Sequence, residues 1–321
     1  MKLLVTGGLG FVGTNLAIEF LARPGTSLRV LDIAPAGTAQ PPLLDPRVEI
    51  RYGDVRDAEA VASAARGANA IVHLAAQTGV VESLSDPRTS VAINVEGTLN
   101  VLEAARHADI RRVVCASSNA AVGRHEPPLD EGSLPRPTSP YGATKLAGEA
   151  LCHAFAEAYG LETVSLRFSN LYGPWSIHKG SVVATFFRRL LAGDPIVLQG
   201  DGLQTRDFLY TEDLTRAVRL AVESPRVERV YQVATGRETS IAELARACLS
   251  VAETHGGRQT AIEYGEPRAG DLSRNVSSID LIRTGLGFVP AVSLRDGLER
   301  TWAWFQRAGM TTQAAYHYGT E

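Results

Sequence analysis

Residues 2–22 read KLLVTGGLGFVGTNLAIEFLA, an apolar run joined by a glycine-rich turn to a helical pattern. The run 2–6 is typical of a buried strand, and 11–22 is typical of a helix. The alternation continues with strand-like runs at 28–32, 48–52, 70–74, 112–117 and 162–168 and helical stretches at 57–66, 86–106 and 139–160. Repeated β-α units with short connections predict an α/β fold, a doubly wound parallel sheet covered on both faces.

The glycines of the first turn fit two spacings. Gly7, Gly10 and Gly13 fit GxxGxxG, and Gly8 with the last two fits GxGxxG. Either set lets the backbone approach a pyrophosphate at a helix N-terminus, although a tight turn without a ligand has the same pattern. Asp32 ends the second strand, where an acid can hydrogen-bond ribose hydroxyls and would repel a 2′-phosphate. The combination predicts a dinucleotide site that prefers NAD to NADP.

The rhythm of strands and helices loosens after about residue 170, where Gly- and Pro-rich connections lie at 173–180, 192–202 and 265–271. We therefore expect a dinucleotide-binding domain over 1–170. The range 171–321 is expected to form mainly a smaller, substrate-binding lobe, with some segments returning to the first domain.

The composition excludes several classes of protein. The chain has 321 residues, 45% of them hydrophobic, and a formal net charge of -3, which argues against a nucleic-acid or membrane surface. Its three cysteines, Cys115, Cys152 and Cys248, form no CxxC pair, which argues against a metal site and favours a reducing compartment. No secretory h-region and no apolar run of about 20 residues is present. We expect a cytoplasmic protein with no metal, membrane or nucleic-acid partner.

The stretch TSPYGATKLAGE (138–149) sets Tyr141 and Lys145 four residues apart. On a helix these positions share a face, and many surfaces carry such pairs. A nearby ammonium group also favours the phenolate, so the tyrosine of such a pair can act as a general base near neutral pH. The pair alone does not decide between these interpretations.

Taken together, the motifs resemble the extended short-chain dehydrogenase/reductase family, in particular its nucleotide-sugar epimerases and dehydratases, over nearly the whole chain. GGLGFVG (7–13) resembles the cofactor turn of that family. ASS (116–118) followed by YGATK (141–145) resembles its Ser/Thr and YxxxK catalytic set, and RFSNLYGP (167–174) resembles the segment that closes over nicotinamide and substrate. The resemblance implies a Rossmann-type domain, NAD as cofactor and a UDP-sugar as substrate.

The resemblance also assigns residues to sites. GDVRD (53–57), HLAAQ (73–77) and INVEGT (93–98) resemble segments beside the cofactor, and QTRDF and PRAGD each supply an arginine. The implied cofactor-binding residues are Gly7, Gly10, Phe11, Val12, Gly13, Asp32, Asp54, Val55, Leu74, Ala75, Ala76, Asn94, Tyr141, Lys145 and Phe168. The implied substrate-binding residues are Thr78, Ser118, Asn119, Asn170, Arg206, Arg268 and Asn275.

The implied catalytic residues are Ser118, Tyr141 and Lys145. Tyr141 takes a proton from a sugar hydroxyl as hydride leaves the same carbon, Lys145 lowers the phenol pKa, and Ser118 steadies the developing carbonyl. Ser118 is preferred to Ser117 because the reactive hydroxyl of relatives is usually the second of the pair, although both serines would also fit a strand-end cap. Arg206 and Arg268 suit a diphosphate, because guanidinium groups bind its oxygens bidentately.

Three outcomes share oxidation of the sugar at C4. A 4-epimerase returns hydride to the other face of C4, and a 4,6-dehydratase returns it to C6. Asn119-Ala120 stands where 4,6-dehydratases usually carry an Asp-Glu pair, which disfavours that outcome. The whole chain is similar to UDP-N-acetylglucosamine 5,6-dehydratases of antibiotic biosynthesis, which eliminate water across C5 and C6 and return hydride to C4. We place 5,6-dehydration slightly ahead of 4-epimerisation.

Further features of the resemblance stay open. Asparagine at 275 leaves room for an N-acetyl group at C2 of the sugar. His178 and Lys179 are candidates for the extra acid and base, although a solvated loop pair is the plainer interpretation. The helical stretches 86–106 and 139–160 resemble those that pair in the homodimers of relatives. A different class, a dinucleotide-binding module without turnover, is also compatible with the fold.

Overall fold

The computed structural model describes residues 1–35, 37–267 and 273–317, with side chains described as far as residue 308. The described strands are β1 Lys2–Thr6, β2 Ser27–Asp32, β3 Val48–Tyr52, β4 Ala70–His73, β5 Arg112–Ser118, β6 Glu162–Phe168, β7 Asn170–Tyr172, β8 Ile196–Gln199, β9 Thr205–Arg206, β10 Phe208–Tyr210, β11 Val230–Val233, β12 Thr239–Ser240 and β13 Ile262–Gly265.

The described helices are α1 Phe11–Leu21, α2 Ala58–Ala65, α3 Val80–Ser85, α4 Pro87–Val91, α5 Gly97–His107, α6 Pro140–Tyr159, α7 Val182–Ala192, α8 Thr211–Glu223, α9 Ile241–Thr254, α10 Asp280–Leu286 and α11 Leu294–His317. Short 3₁₀ turns cover Pro41–Leu44 and Asn119–Ala121, and a π-helical turn covers Ala92–Glu96. Within these ranges, the structure contains no helix that is both long and apolar enough to cross a bilayer.

The chain divides into two compact units. Unit 1 comprises Met1–Ser169, Leu214–Val233 and Ser277–Val289. Unit 2 comprises Asn170–Asp213, Ala234–Val276 and Pro290–Glu321. Unit 1 therefore includes two segments from the second half of the chain, and one of them supplies a strand to its sheet.

Unit 1 is built on a parallel sheet whose described strands follow the order β11-β6-β5-β4-β1-β2-β3. Neighbouring strands pair in parallel throughout. The chain order reverses between β1 and β4, and the carboxyl ends of strands at such a switch point are where ligands bind in doubly wound sheets. The predicted fold class is confirmed.

Apolar residues explain why these strands lie inside. Leu3, Leu4 and Val5 of β1 are fully buried, as expected for a strand covered on both faces, and Val113 and Val114 of β5 are buried in the same way. Helices on one face close over them through a core that includes Val101, Leu102, Cys152 and Phe155. The sheet thus forms a rigid support for the loops at its carboxyl edge.

Unit 2 has its own core. Phe186 and Phe187 of α7, Leu244 of α9 and Trp302 and Phe305 of α11 pack together, with short strand pairs around them. The pair β7–β10 is parallel, whereas β9–β12 is antiparallel. Unit 2 is therefore a mixed α/β layer rather than a second large sheet.

The predicted helix 86–106 is three elements in the structure. Pro87 begins α4 after the Asp86 cap, whose side chain accepts from the Thr89 N–H, and the π-helical turn separates α4 from α5. Such π turns are rare in helices, and the helical pattern of the sequence does not predict this one. The turn matters because it carries Asn94.

Candidate active site

The backbone of the glycine-rich turn is packed tightly at both of its ends. Gly7 has a φ of 68°, and a Cβ there would lie 2.7 Å from the backbone of Ala75. A Cβ on Gly13 would lie 2.3 Å from the carbonyl oxygen of Gly8. The sequence therefore needs glycine at both ends of the turn, one for the backbone angle and one for the close approach. Gly10 precedes α1 and makes no side-chain cap, which leaves the N-terminus of Phe11–Leu21 suited to an anion.

Asp32 lies beside this turn at the end of β2. Its Oδ2 accepts from the N–H of Leu9 at 2.9 Å, and its Oδ1 accepts from the N–H of Ala34 at 3.0 Å. The carboxylate is thus held at the carboxyl edge of the sheet, next to the turn. That position fits the predicted contact with ribose hydroxyls.

Asp54 and Val55 have different surroundings. Arg56 donates to Asp54 through Nε at 3.0 Å and Nη2 at 2.6 Å, and this hydrogen bonding lowers the pKa of the Asp54 carboxyl. The Val55 side chain is buried against Gly97, and its carbonyl accepts from Asn100. Asp54 is therefore paired within the protein, while Val55 anchors the loop after β3 in the core.

Asn94 connects the loop after β4 to helix α6. The Asn94 side chain accepts from the N–H of Gln77 at 2.8 Å and donates to the carbonyl of Gln77 and to Thr144 Oγ1. Both amide protons of Asn94 are thus used by protein groups, which favours a supporting role over a direct cofactor contact. The loop that it holds contains Leu74, Ala75 and Ala76, followed by the exposed Thr78.

Ser118 and Tyr141 lie together at the end of β5 and the beginning of α6. Ser118 lies beside the Tyr141 hydroxyl, and its Oγ accepts from the Ala120 N–H at 3.2 Å. A Cβ on Gly142 would lie 2.2 Å from the Ala120 carbonyl oxygen. Glycine at 142 therefore lets α6 approach the turn after Ser118 closely enough for the two hydroxyls to meet.

Burial opposes ionisation of Tyr141. Desolvation raises the pKa of the phenol, and the hydrogen bond from Ser118 works in the opposite direction. The expected lowering by Lys145 is not the dominant effect in the protein alone. The ammonium nitrogen lies 5.9 Å from the centre of the Tyr141 ring, on the same helix face.

Lys145 is fixed by one backbone contact. Its Nζ donates to the carbonyl of Ala116 at 2.8 Å, which holds the ammonium group beside the carboxyl-terminal part of strand β5. Burial lowers the pKa of Lys145 to about 8, and the nearby carboxylate of Glu149 opposes that lowering. Lys145 is therefore charged at neutral pH but lies close to its titration midpoint.

Two further residues of unit 1 were predicted to contact ligands. Asn119 is buried and donates from Nδ2 to Ser277 Oγ at 2.9 Å, so it helps to hold a segment that returns from the second half of the chain. Phe168 is half-buried at the end of β6. The substrate contact of Asn119 and the cofactor contact of Phe168 stay predictions.

The remaining predicted substrate residues belong to unit 2. Asn170 donates from its N–H and its Nδ2 to the carbonyl of Asp207, and Arg206 donates to the carbonyl of Thr205 at 2.7 Å. The Asn275 N–H donates to the same Thr205 carbonyl, which places the backbone of 275 beside the strand that carries Arg206. Arg268 lies outside the described residues.

The loop with His178 and Lys179 is held by hydrogen bonds from helix α7. Arg188 donates from Nη1 to the carbonyls of Ile177 and Lys179, and His178 itself is exposed. Trp175 in the same loop has a φ of 68°, a left-handed conformation that costs energy for a non-glycine residue. The loop is therefore held in one shape, but no described contact gives His178 a catalytic partner.

Sequence reasoning missed a buried cluster next to the predicted catalytic residues. Ser117 donates to Glu149, and Glu149 forms an ion pair with Arg167. The spacing of Glu149, four residues after Lys145, was the available signal, because it puts both on one helix face. The strand alternation of Ser117 and Ser118 was a second signal, since neighbouring residues of a strand point in opposite directions.

The geometry fits a bound dinucleotide. Three features lie together at one edge of the sheet, as NAD binding requires: the glycine turn, which has no room for a Cβ, the N-terminus of α1, and Asp32. Among the described residues, no group of three or more His, Cys, Asp or Glu side chains is arranged to hold a metal ion.

Comparison with known proteins agrees with this geometry. Residues 3–234 match the family model described as NAD dependent epimerase/dehydratase family. UDP-glucose 4-epimerase of Mycolicibacterium smegmatis is 34% identical over 95% of this chain and 99% of its own. dTDP-glucose 4,6-dehydratase of Streptomyces griseus is 34% identical over 95% of this chain and 94% of its own.

A solved structure is similar over the same length. UDP-N-acetylglucosamine 4-epimerase from Methanobrevibacter ruminantium, in complex with UDP-N-acetylmuramic acid, superimposes with a TM-score of 0.88 at 28% identity. The match covers 96% of this chain and 98% of that one.

Proposed function

This chain belongs to the NAD-dependent epimerase/dehydratase family, and from that premise we propose that it converts a UDP-hexose through a transient 4-keto sugar without net redox change. The observation that carries the proposal is the position of the Ser118 hydroxyl beside the Tyr141 phenol, with the Lys145 ammonium nitrogen 5.9 Å from the centre of the Tyr141 ring on the same helix face. Proton removal and carbonyl stabilisation are the two tasks that oxidation at C4 requires.

Each residue has a separate task in the first step. Bound NAD supplies the acceptor for the hydride that leaves C4. Tyr141 takes the proton of the C4 hydroxyl, and Ser118 donates to the oxygen as it becomes a carbonyl. Lys145 contributes positive charge beside the phenolate and is held in place by Ala116.

The cofactor contacts are part of the proposal. Gly7, Gly10 and Gly13 would admit the pyrophosphate to the N-terminus of α1, and Asp32 would accept from the ribose hydroxyls. The carboxylate at 32 disfavours a 2′-phosphate, which supports NAD over NADP. In unit 2, Asn170 and Arg206 would bind the substrate diphosphate through charge-assisted hydrogen bonds.

The proposed substrate is UDP-N-acetylglucosamine, and the proposed outcome is 5,6-dehydration. The C5 proton and the C6 hydroxyl leave as water, a 5,6-alkene forms, and hydride returns to C4, so that atoms and electrons balance. Asparagine at 119 supports this over 4,6-dehydration, because its amide is buried against Ser277 and offers no acid or base. A half-buried asparagine at 275 supports an N-acetyl substituent.

A second candidate is 4-epimerisation of the same substrate. The superimposed structure is a UDP-N-acetylglucosamine 4-epimerase, and the proposed roles of Ser118, Tyr141 and Lys145 would serve both oxidation and reduction at C4. Both candidates share the Ser118, Tyr141 and Lys145 site, so they differ only in the fate of the ketone.

The proton NMR spectrum of the product separates these outcomes. Purified protein is incubated with NAD and UDP-N-acetylglucosamine. Vinylic signals indicate 5,6-elimination, and a changed H4 coupling indicates epimerisation. A C6 methyl beside a keto carbon would contradict the argument from Asn119. Unchanged substrate across a panel of UDP- and dTDP-sugars would overturn turnover altogether and favour a binding module.

We also propose that the protein is a homodimer that pairs through α6. Ala143, Ala150, Ala154 and Ala158 are exposed on this helix at spacings of seven, four and four residues. Such spacing places them on one face, and small side chains let two helices approach closely.

A further inference from the structure

Ser117, Glu149 and Arg167 form a buried group that we call the Glu149 cluster. Ser117 Oγ donates to Glu149 Oε1 at 2.5 Å. Arg167 donates from Nε to the same oxygen at 2.8 Å and from Nη2 to Oε2 at 2.7 Å. The three residues are only 5%, 7% and 4% exposed. A carboxylate held by a two-point guanidinium contact in such surroundings is a fixed negative charge.

This carboxylate joins the elements that carry the proposed site. Ser117 directly precedes Ser118 at the end of β5, and Arg167 lies opposite Ser117 in the β5–β6 register. Glu149 lies one helical turn after Lys145 on α6. One side chain therefore fastens the strand that presents Ser118 to the helix that presents Tyr141.

Glu149 also faces Lys145 across a small cavity. Both residues line a space of about 10 Å³, which has room for roughly one water molecule. The titratable and charged groups around the Lys145 side chain are His73 from β4, Cys115 from β5, Tyr141, Glu149 and Cys152 from α6, and Arg167 from β6 behind Glu149.

The neighbours of Lys145 differ in charge. Burial, followed by the Lys145 charge, lowers the pKa of His73 to about 3, so this imidazole is neutral. The hydrogen bond from Cys152, together with burial, raises the pKa of the Cys115 thiol, so this group is also neutral. The Glu149 carboxylate is thus the anionic neighbour that offsets the burial of the ammonium group.

We propose that Glu149 is a positioning residue for the reaction, which keeps the Lys145 side chain charged and holds the Ser118 strand end against α6. The inference rests on the proposed function, because it gives the cluster a task in proton transfer at Tyr141. A purely structural ion pair would stabilise the fold without changing how Lys145 titrates.

The same two strands provide a matched control. At their other end, Arg112 donates to Glu162 Oε2 from Nε at 3.1 Å and from Nη2 at 2.6 Å. Arg112 and Glu162 are opposite each other in the β5–β6 register, as Ser117 and Arg167 are. Glu162→Gln therefore removes a carboxylate from an ion pair of the same strands, far along them from Lys145.

Lysine NMR tests the charge effect without substrate. The chain has three lysines, Lys2, Lys145 and Lys179, so a protein labelled at lysine Cε gives few signals, and Lys145→Arg identifies the one of interest. We expect Glu149→Gln to move the titration midpoint of Lys145 to lower pH by about one pH unit. Glu162→Gln should leave the midpoint unchanged. An unmoved midpoint in a folded Glu149→Gln protein would overturn the charge half of the proposal.

Ser117→Ala tests the positioning half. This variant keeps the carboxylate but removes its contact with β5, so we expect kcat to fall about tenfold with the substrate KM and the Lys145 titration nearly unchanged. Unaltered kcat would refute the positioning role. If Glu149→Gln does not fold, Glu149→Asp keeps the charge and should retain a Lys145 midpoint close to that of the wild type; a midpoint displaced as far as that expected for Glu149→Gln would count against the proposal.

The two failures are distinguishable. A wild-type protein that turns over no UDP-sugar refutes the proposed function, yet the Lys145 midpoint of Glu149→Gln can still be measured. If the wild-type protein turns over a UDP-sugar but the Lys145 midpoint is the same in Glu149→Gln and Glu162→Gln, this inference alone is refuted.

Discussion

Tyr141 is the residue on which the proposed chemistry depends most directly. Replacing it with phenylalanine removes the proton acceptor while keeping the ring that packs in the first turn of α6. We expect kcat to fall by about 10²- to 10⁴-fold, with little change in NAD affinity measured by calorimetry. Tyr159→Phe is the matched control, because this tyrosine lies exposed at the other end of the same helix. Full activity in Tyr141→Phe would place the base elsewhere.

The ionisation of Lys145 sets an upper pH limit for turnover. Burial lowers its pKa to about 8, so the ammonium form predominates below that pH and is lost above it. We expect kcat/KM to decline above about pH 8, approaching tenfold per pH unit. Lys145→Arg keeps the positive charge at all these pH values and should remove the decline from whatever activity remains. A wild-type rate that still rises at pH 9.5 would contradict this assignment.

At the residue scale, the sequence suggests the proposed reactive residues but not the side chains that support them. Tyr141, Lys145 and the glycine turn are readable because each needs a special residue type at a fixed spacing. Glu149 and Arg167 were not predicted, because a buried ion pair depends on which strand lies beside which helix. Ser118 was preferred to Ser117 by analogy, whereas the structure gives each serine a different partner, Tyr141 and Glu149.

Helix α6 must approach the turn after β5 without a side chain between them. A Cβ at Gly142 would lie 2.2 Å from the Ala120 carbonyl oxygen, so Gly142→Ala must push the helix away. We expect a loss of stability of about 1–3 kcal/mol and a loss of kcat of up to about 100-fold. Urea unfolding and initial rates measure the two effects.

Gly148→Ala is the control for that change. On the same helix, a Cβ at 148 would have its nearest neighbour, Thr98 Oγ1, at 3.8 Å, an ordinary contact. Alanine is the better helix former by about 1 kcal/mol, so this variant should be at least as stable as the wild type. Equal behaviour of the two variants would show that the close approach at Gly142 is unimportant.

At the scale of elements, strands were predicted more accurately than connections. The runs 2–6, 48–52 and 162–168 are strands with the predicted limits. Within the predicted helix 86–106 the structure contains a π-helical turn at Ala92–Glu96, whose Asn94 forms hydrogen bonds with Gln77 and Thr144 outside this helix. Such contacts leave no periodic trace.

At the scale of the whole molecule, the fold class was predictable because alternating strands and helices leave few parallel arrangements. The assignment of later segments was not predictable in detail. Leu214–Val233 and Ser277–Val289 belong to unit 1, and β11 joins its sheet beside β6. Their local pattern resembles that of their neighbours in the chain, and only long-range pairing distinguishes them.

The proposed homodimer is tested by its mass in solution. Light scattering of the purified protein should give twice the mass of one chain. Ala154→Arg places a long charged side chain on the exposed face of α6 and should shift the mass toward that of one chain. Tyr52→Arg is the control, because Tyr52 is exposed on the edge strand β3, and this variant should leave the mass unchanged. A wild type with the mass of a single chain would refute the dimer.

A one-residue slip of β6 along β5 would turn every β6 side chain to the opposite face of the sheet. Glu162 would then point away from Arg112 and Arg167 away from Glu149, at both ends of the strand pair at once. Leaving a buried charge without its partner costs about 3–5 kcal/mol. The two ion pairs therefore favour the observed register of β5 and β6 over a one-residue slip, because the slipped pairing loses both of them at once.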